Sequence, residues 1–176
     1  MWTATQERQG VAFVNLLLGR VALRESRHEQ AMPLLETAMA DLRRFRIDAY
    51  AGFARALIAE AEAFAGDPSR ALSIARAELD AAGRYVPLLR RVCGIALARL
   101  GQVDGAQREL TSSLAVARER GDQYDIAAAV DVLVALGAAA PANARERDAI
   151  LGRLQIDQLP KPQLPKRSPR LELAAR

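Results

Sequence analysis

Aromatic residues, cysteine and histidine are all scarce in this chain. Only 5% of the 176 residues are aromatic, so a hydrophobic core must be built mainly from Ala, Leu, Val and Ile. The single cysteine, Cys93, excludes a disulfide within the chain and suits a cytoplasmic protein. The single histidine, His28, has no second histidine or cysteine at metal-ligand spacing. We therefore expect no bound metal.

Long hydrophobic runs are also missing. The N-terminus, MWTATQERQG, lacks the basic-then-apolar order of a signal peptide. The most apolar stretch, residues 126–142, is interrupted by Asp131 and Gly137 and is shorter than the ~20 apolar residues that span a bilayer. We expect no membrane contact and interpret the first part of this stretch as a buried helix.

Positive charge is in small excess and lies at one end of the chain. The formal net charge is +4, and residues 160–176 carry five basic residues and one acidic residue. The rest of the chain is balanced, whereas a nucleic-acid-binding domain usually has a basic face. We therefore expect no nucleic acid to bind a helical domain at residues 1–157. Residues 158–176, rich in proline and basic residues, are predicted to be a flexible tail.

Runs of β-branched residues with period-two alternation are absent, and the abundant alanine favours helix. Apolar residues at helical spacing, separated by turn signals, predict an all-α fold. We predict eight helices at residues 4–25, 28–42, 47–65, 68–82, 87–100, 104–119, 123–136 and 143–154. Because the joints are short, successive helices should be antiparallel.

Glycine and aspartate mark several predicted helix ends. In AGDPSRAL, Gly66 ends one helix and Asp67 caps the next. In LARLGQVDGAQREL, Gly101 and Asp104 take the same roles. A phosphate-binding loop needs a preceding strand and a Gly-Lys-Ser/Thr ending, so Gly101 and Gly105 are interpreted as a turn between helices. Further N-caps are predicted at Ser26, Asp122 and Asn143.

Small residues recur at equivalent positions of three helix pairs. The first helices have Gly19, Ala59 and Gly94 at mid-length, and the second helices have Ala31, Ala71 and Ala106 twelve residues later. A bulky side chain there would push the two helices of a hairpin apart. These positions therefore predict three close-packed hairpins, and a fourth begins at residues 124–136.

This pattern resembles the tetratricopeptide repeat (TPR) over residues 10–136. The small residues match the family's positions in helix A and helix B, but Asn15, Arg55 and Arg90 replace its helix-A aromatic, and its closing proline is absent. The steps of 40 and 35 residues exceed the family's period of about 34. The resemblance implies a divergent TPR-like α-solenoid, a right-handed superhelical stack of about four antiparallel hairpins.

A second resemblance concerns the C-terminal half. The stretch ARERGDQYDIAAAVDVLVALG, followed by RERDAILGRLQIDQLPKPQLP, is similar to the C-terminal repeat region of large signalling proteins from high-GC bacteria. Those proteins carry a cyclase or LuxR-type module and an ATPase, whose motifs are absent here. The resemblance implies a regulatory protein-interaction scaffold with no enzymatic activity and no cofactor. The alternative is a fragment of a DNA-binding regulator, or of a cyclase or ATPase whose catalytic part lies outside the chain.

In TPR proteins helix A of each repeat lines a concave groove. The resemblance implies that a protein or peptide partner contacts Phe13, Leu16, Arg20, Arg24, Phe53, Glu60, Phe64, Leu88, Arg91, Arg99, Tyr124 and Asp131. Arginines beside apolar side chains suit a peptide carboxylate and its neighbours; otherwise these are ordinary solvated or inter-helix residues. We expect Arg91→Glu to weaken binding without lowering stability.

Other residues are interpreted structurally. Cys93 is expected to be a buried small hydrophobe, and His28 an exposed turn residue. Glu60 and Glu62 are two apart and point to different sides of a helix, so they make no catalytic pair. The first helix has no helix before it, and repeat arrays usually need capped ends. We expect an upstream repeat, Trp2 or a second copy of the chain, as a homodimer, to cover it.

Overall fold

The computed structural model describes residues 4–82 and 85–164, and within these ranges every regular element is a helix. The eight helices are α1 (Ala4–Arg24), α2 (His28–Arg44), α3 (Asp48–Phe64), α4 (Pro68–Ala82), α5 (Val86–Arg99), α6 (Val103–Arg120), α7 (Gln123–Ala135) and α8 (Pro141–Leu154). Each predicted helix is present, with its ends shifted by two residues or fewer. The all-α prediction is confirmed. In the described ranges no helix has the length and apolar character to cross a membrane. Trp2 lies outside the described residues.

Consecutive helices pack as four antiparallel hairpins, α1/α2, α3/α4, α5/α6 and α7/α8. Contacts between hairpins follow a pattern: α3 contacts α1 and α5, and α5 contacts α7. Among the described residues, even-numbered helices meet only through long side chains, as in the Arg70–Glu36 pair between α4 and α2 and the Arg118–Glu146 pair between α6 and α8. The odd-numbered helices therefore form a continuous inner row. The even-numbered helices α2, α4 and α6 each pack between the odd-numbered helix of their own hairpin and that of the next hairpin.

The small residues lie where the hairpins close. A Cβ placed on Gly19 would be 2.6 Å from the Leu35 side chain, and one on Gly94 would be 2.6 Å from Leu110. These approaches are far inside van der Waals contact, so neither position admits a side chain without a shift. The four alanines at the equivalent places are all fully buried: Ala31, Ala59, Ala71 and Ala106. The prediction of close-packed hairpins is confirmed.

Five of the turns between helices are closed by a residue in the left-handed region. Gly101, with φ of 77°, lies in the turn predicted in LARLGQVDGAQREL, whereas Gly105 lies in the first turn of α6; Gly121 closes the next turn with φ of 70°. Ser26 and Arg46 take the same conformation at φ of 59° and 58° without being glycine. In each turn the next amide bonds back five residues, as when Arg27 N–H donates to the Ala22 carbonyl. This is the Schellman closure of a helix C-terminus.

This turn geometry corrects several predicted N-caps. Ser26 closes α1, and the cap of α2 is Arg27, which makes no side-chain cap bond. Helix α6 begins at Val103, which leaves Asp104 inside its first turn, and α8 begins at Pro141, which leaves Asn143 inside as well. Asp67 does act as predicted, because its Oδ1 accepts the Ser69 N–H at 2.8 Å. The C-terminal closure of one helix thus sets the start of the next.

The chain beyond α8 lies against the helices. We call residues 156–164 the C-terminal segment. Leu159 is 5% exposed and belongs to the hydrophobic core, and the Gln163 N–H donates to the Phe64 carbonyl at 3.3 Å. Leu164 packs against Leu97 and its neighbours. Over residues 158–164 the predicted tail is therefore packed on the body, and its remainder lies outside the described residues.

Candidate interaction groove

A buried ionic chain crosses the inner row and takes one charged side chain from each hairpin. Glu60 Oε1 accepts from Arg24 Nη1 at 3.0 Å and from Arg91 Nη2 at 2.7 Å, and Arg91 also pairs with Asp125. The side chains of Glu60 and Arg91 are 3% and 1% exposed, whereas those of Arg24 and Asp125 are 24% and 23% exposed. The chain therefore has a buried centre and solvated ends, and it joins all four hairpins.

Both central groups are held in their charged forms. Burial alone would raise the pKa of Glu60, but the positive charges of Arg24 and Arg91 outweigh burial, and the pKa is lowered. Burial alone would lower the pKa of Arg91, but the charges of Asp125 and Glu60 outweigh it, and that pKa is raised. Each charge keeps the other ionised, so the centre is an ion pair at neutral pH.

Aromatic rings pack against guanidinium groups in and beside the ionic chain. The Arg24 guanidinium lies 4.1 Å from the Tyr124 ring centroid, and Arg20 lies 5.7 Å from that of Phe53. Phe53 stacks on Tyr85 with centroids 4.8 Å apart. Such contacts leave the edge of each guanidinium available for a carboxylate.

Two cavities meet on this surface. The first, of about 630 Å³, has α1 on one side and the C-terminal segment on the other. The second, of about 430 Å³, lies over the start of α5 and α7. Arg20, Arg24 and Tyr124 line both, so the cavities adjoin each other. We call their combined surface the groove; its main residues are Leu17, Arg20, Val21, Arg24, Phe53, Tyr85, Leu88, Tyr124, Ile156, Leu159 and Pro160.

Arg20 differs from the other arginines of the groove. Its guanidinium lies over a ring, and no carboxylate of residues 4–82 or 85–164 is within ion-pair distance of it. Arg24, by contrast, is engaged with Glu60. Arg20 is therefore an exposed positive charge without a carboxylate partner among the described residues, placed between the first cavity, whose walls are mainly apolar, and the second, which Arg120, Asp122 and Asp125 also line.

The structure places the predicted groove residues at several depths. Arg20, Arg24, Phe53, Leu88 and Tyr124 line the groove, and Phe13 lies beside it, edge-on to Tyr50 at 4.9 Å. Four residues are buried beneath it: Leu16, Glu60, Phe64 and Arg91. The remaining two hold helices together: Arg99 donates to the carbonyls of Glu62 and Ala63, and Asp131 accepts from Arg147.

Several groove residues were missed from the sequence. Leu17 and Val21 are 56% and 48% exposed, and their apolar character on α1 looked like ordinary core. Tyr85 precedes α5 and was not predicted as a site residue. Leu159 was assigned to a flexible tail, and Ile156 to the end of the helical domain. The exposed face of α1 carried a detectable signal, since its apolar residues cover more of the helix circumference than one packed face requires.

Two other candidates behave as structural residues. Cys93 is 1% exposed, and burial, reinforced by the charge of Glu109, raises its pKa to about 11, so it stays a neutral thiol, as expected. His28 is not the exposed residue that was predicted. It lies against Phe64 with ring centroids 5.8 Å apart, and burial lowers its pKa although Glu60 opposes the shift.

The chain was compared with family models, curated proteins and solved structures. No family model, no curated protein and no solved structure matches the chain. Within the described ranges, no group of three or more His, Cys, Asp or Glu side chains is placed to hold a metal ion.

Proposed function

We propose that this chain is a non-enzymatic, TPR-like scaffold that binds a protein partner in its groove. The observation that carries the proposal is Arg20, a cation beside Phe53 with no carboxylate partner among the described residues. It stands between a cavity of about 630 Å³ and one of about 430 Å³. Pockets with apolar walls and few placed charges are typical of sites that fix the orientation of a ligand.

The partner chemistry follows from this arrangement. A carboxylate would form charge-assisted hydrogen bonds with Arg20, and Arg-carboxylate pairs are often bidentate. An aliphatic or aromatic side chain next to it would enter the cavity between Leu17, Val21 and Tyr124. The proposed ligand is therefore an extended peptide that carries an acidic residue close to a large apolar residue.

A peptide-display selection on the full-length protein tests this proposal. Selected decapeptides should share an acidic and an apolar position, and they should bind Arg20→Glu at least tenfold more weakly. Arg108→Glu is the matched control, because Arg108 is an exposed arginine of α6, on the other side of the hairpins. If no peptide is enriched, or if both substitutions weaken binding equally, the groove is not the binding surface.

The second part of the proposal is a regulatory role in a bacterial signalling system in the cytoplasm. It is supported by the resemblance of residues 117–137 and 145–165 to the repeat ends of such regulators. The gene order tests it: a cyclase, ATPase or LuxR-type module encoded next to this chain is expected. A neighbourhood of unrelated metabolic genes would count against the signalling role.

As a second candidate function, we propose that α1 pairs with α1 of a second copy, which would cover Val21 on the α1 wall of the groove and so compete with a peptide there. Val11, Val14, Leu18 and Val21 are 48–55% exposed and follow a three-four-three spacing, which is the seam of a paired helix. The spacing is palindromic, so a two-fold antiparallel pair sets Val11 against the partner's Val21 and Val14 against the partner's Leu18. In this register Glu7 lies opposite the partner's Glu25 and Arg8 opposite the partner's Arg24, so the apolar seam alone supports the pair.

Sedimentation or light scattering at several concentrations tests the dimer. Wild-type protein should be dimeric, and Val14→Glu should shift it to monomer. Val103→Glu is the control, because Val103 is 42% exposed but lies on α6. A wild-type monomer at all concentrations would contradict the pairing, and so would equal effects of the two substitutions.

A further inference from the structure

The C-terminal segment lies on the inner row in the manner of a bound peptide. After Gln155, in the left-handed region at φ of 54°, the chain leaves α8 and has no regular secondary structure as far as Leu164. Leu159 is its buried anchor at 5% exposure. The Gln163 N–H, bonded to the carbonyl of Phe64 at the end of α3, is its backbone contact with the inner row.

The segment occupies part of the proposed binding site. Ile156, Leu159 and Pro160 form one wall of the larger cavity, and Leu17 and Val21 of α1 form the other wall. An extended ligand that followed the inner row past Arg24 would meet Leu159 and Pro160. The segment and such a ligand therefore compete for the same surface.

The fit of the segment is incomplete at Pro160. This residue faces a small void together with Leu23, Arg24, His28, Glu60 and Phe64. Glu60 Oε2 is buried there and has no hydrogen-bond partner among the described residues, and the same holds for His28 Nδ1. Proline has no N–H to donate. An occupant with a backbone N–H at this position has a donor available for the Glu60 carboxylate.

We propose that the C-terminal segment is an intramolecular ligand of the groove, displaced when a partner binds. The displacing ligand is an extended peptide with a leucine in the Leu159 position and a residue other than proline after it. This inference rests on the proposed groove function and adds the chemistry of a second part of the partner peptide. Because the attached segment acts at an effective concentration in the millimolar range, a free peptide must overcome that competition.

The test uses the full-length chain and labelled peptides in fluorescence anisotropy. The variant Leu159→Asn buries an unpaired amide and should release the segment, whereas Leu154→Asn, at a position 42% exposed, should leave it in place. The probes are QIDQLPKPQL, the sequence of residues 155–164, and the same peptide with alanine for the first proline. Leu159→Asn should bind both probes at least tenfold more tightly than wild type or Leu154→Asn.

The alanine probe should bind more tightly than the proline probe, and equal affinities would overturn the donor assignment. If Leu159→Asn is folded by circular dichroism and binds the probes no better than Leu154→Asn, the segment is not a ligand. Hydrogen exchange of wild type provides a second measurement: saturating alanine probe should accelerate exchange in residues 156–164, and unchanged exchange overturns displacement. If the segment proves not to be a ligand, but display-selected peptides still need Arg20 for binding, then only the displacement proposal fails and the proposed groove function stands.

Discussion

The ionic chain makes a quantitative prediction about stability through Arg91. In Arg91→Met the Glu60 carboxylate, 3% exposed, loses its closest partner at 2.7 Å. Removing one member of a buried ion pair costs about 3–5 kcal/mol of unfolding free energy. Glu60 keeps Arg24 at 3.0 Å, so we expect a loss near the lower limit, about 3 kcal/mol. The earlier expectation that Arg91→Glu would spare stability is replaced, because the substitution would set two carboxylates together in the core.

Glu60→Leu should be similarly costly, because Arg91 is then left buried with Asp125 alone. The double variant Glu60→Leu/Arg91→Met should lose less than the sum, since no uncompensated charge stays in the core. Arg24 and Asp125, at 24% and 23% exposure, can be solvated by water. The coupling energy should therefore exceed about 2 kcal/mol, within the usual range for contacting residues.

Urea denaturation followed by circular dichroism at 222 nm measures these four proteins under the same conditions. A cooperative transition with an unchanged m-value is required for each comparison. Two results would refute the reasoning: single substitutions that are additive to within about 0.5 kcal/mol, or an Arg91→Met variant that loses less than about 1 kcal/mol. Either would mean that water reaches the Glu60 carboxylate.

Three further predictions concern stability. Gly94→Ala should lose about 1–3 kcal/mol in urea denaturation, because its Cβ meets Leu110, whereas Gly152→Ala, with no atom nearby, should lose nothing. Arg46→Gly should gain about 1 kcal/mol by relieving a positive φ, and a loss would show that the Arg46 side chain contributes more than the strain. Because the pKa of Glu60 is lowered in the folded state, its stabilisation is complete above an unfolded pKa of about 4.3 and is lost as pH falls below it. The double variant should therefore show a shallower loss of melting temperature below pH 4.3 than wild type, and parallel curves would contradict this.

The helices and their packing could be predicted because their signals are local. Gly19 and Gly94 lie at fixed distances from Ala31 and Ala106 in the sequence, and the structure brings each pair together across one hairpin. The N-cap residues were predicted less well than the helices, because the left-handed turn at Ser26 determines where α2 begins. Residue type alone does not show which of two adjacent helices controls a short joint.

The depth of the site residues could not be predicted in the same way. Arg20 and Arg91 are both arginines on inner-row helices, and only the contacts between hairpins make one exposed and the other buried. The position of Leu159 depends on the path of a segment without periodicity, whose partners are distant in sequence. A polar composition predicted a free tail, but a few apolar side chains were sufficient to dock it.

The most direct test of the groove as a binding surface is an NMR titration of ¹⁵N-labelled Leu159→Asn with the alanine probe. The chemical shifts of backbone amides near Arg20, Phe53 and Tyr124 should change together and saturate with one dissociation constant. The chemical shifts of amides around Arg108 on α6 should not change. Shifts confined to the even-numbered helices, or none at saturating peptide, would contradict the assignment of the groove as the site where a partner binds.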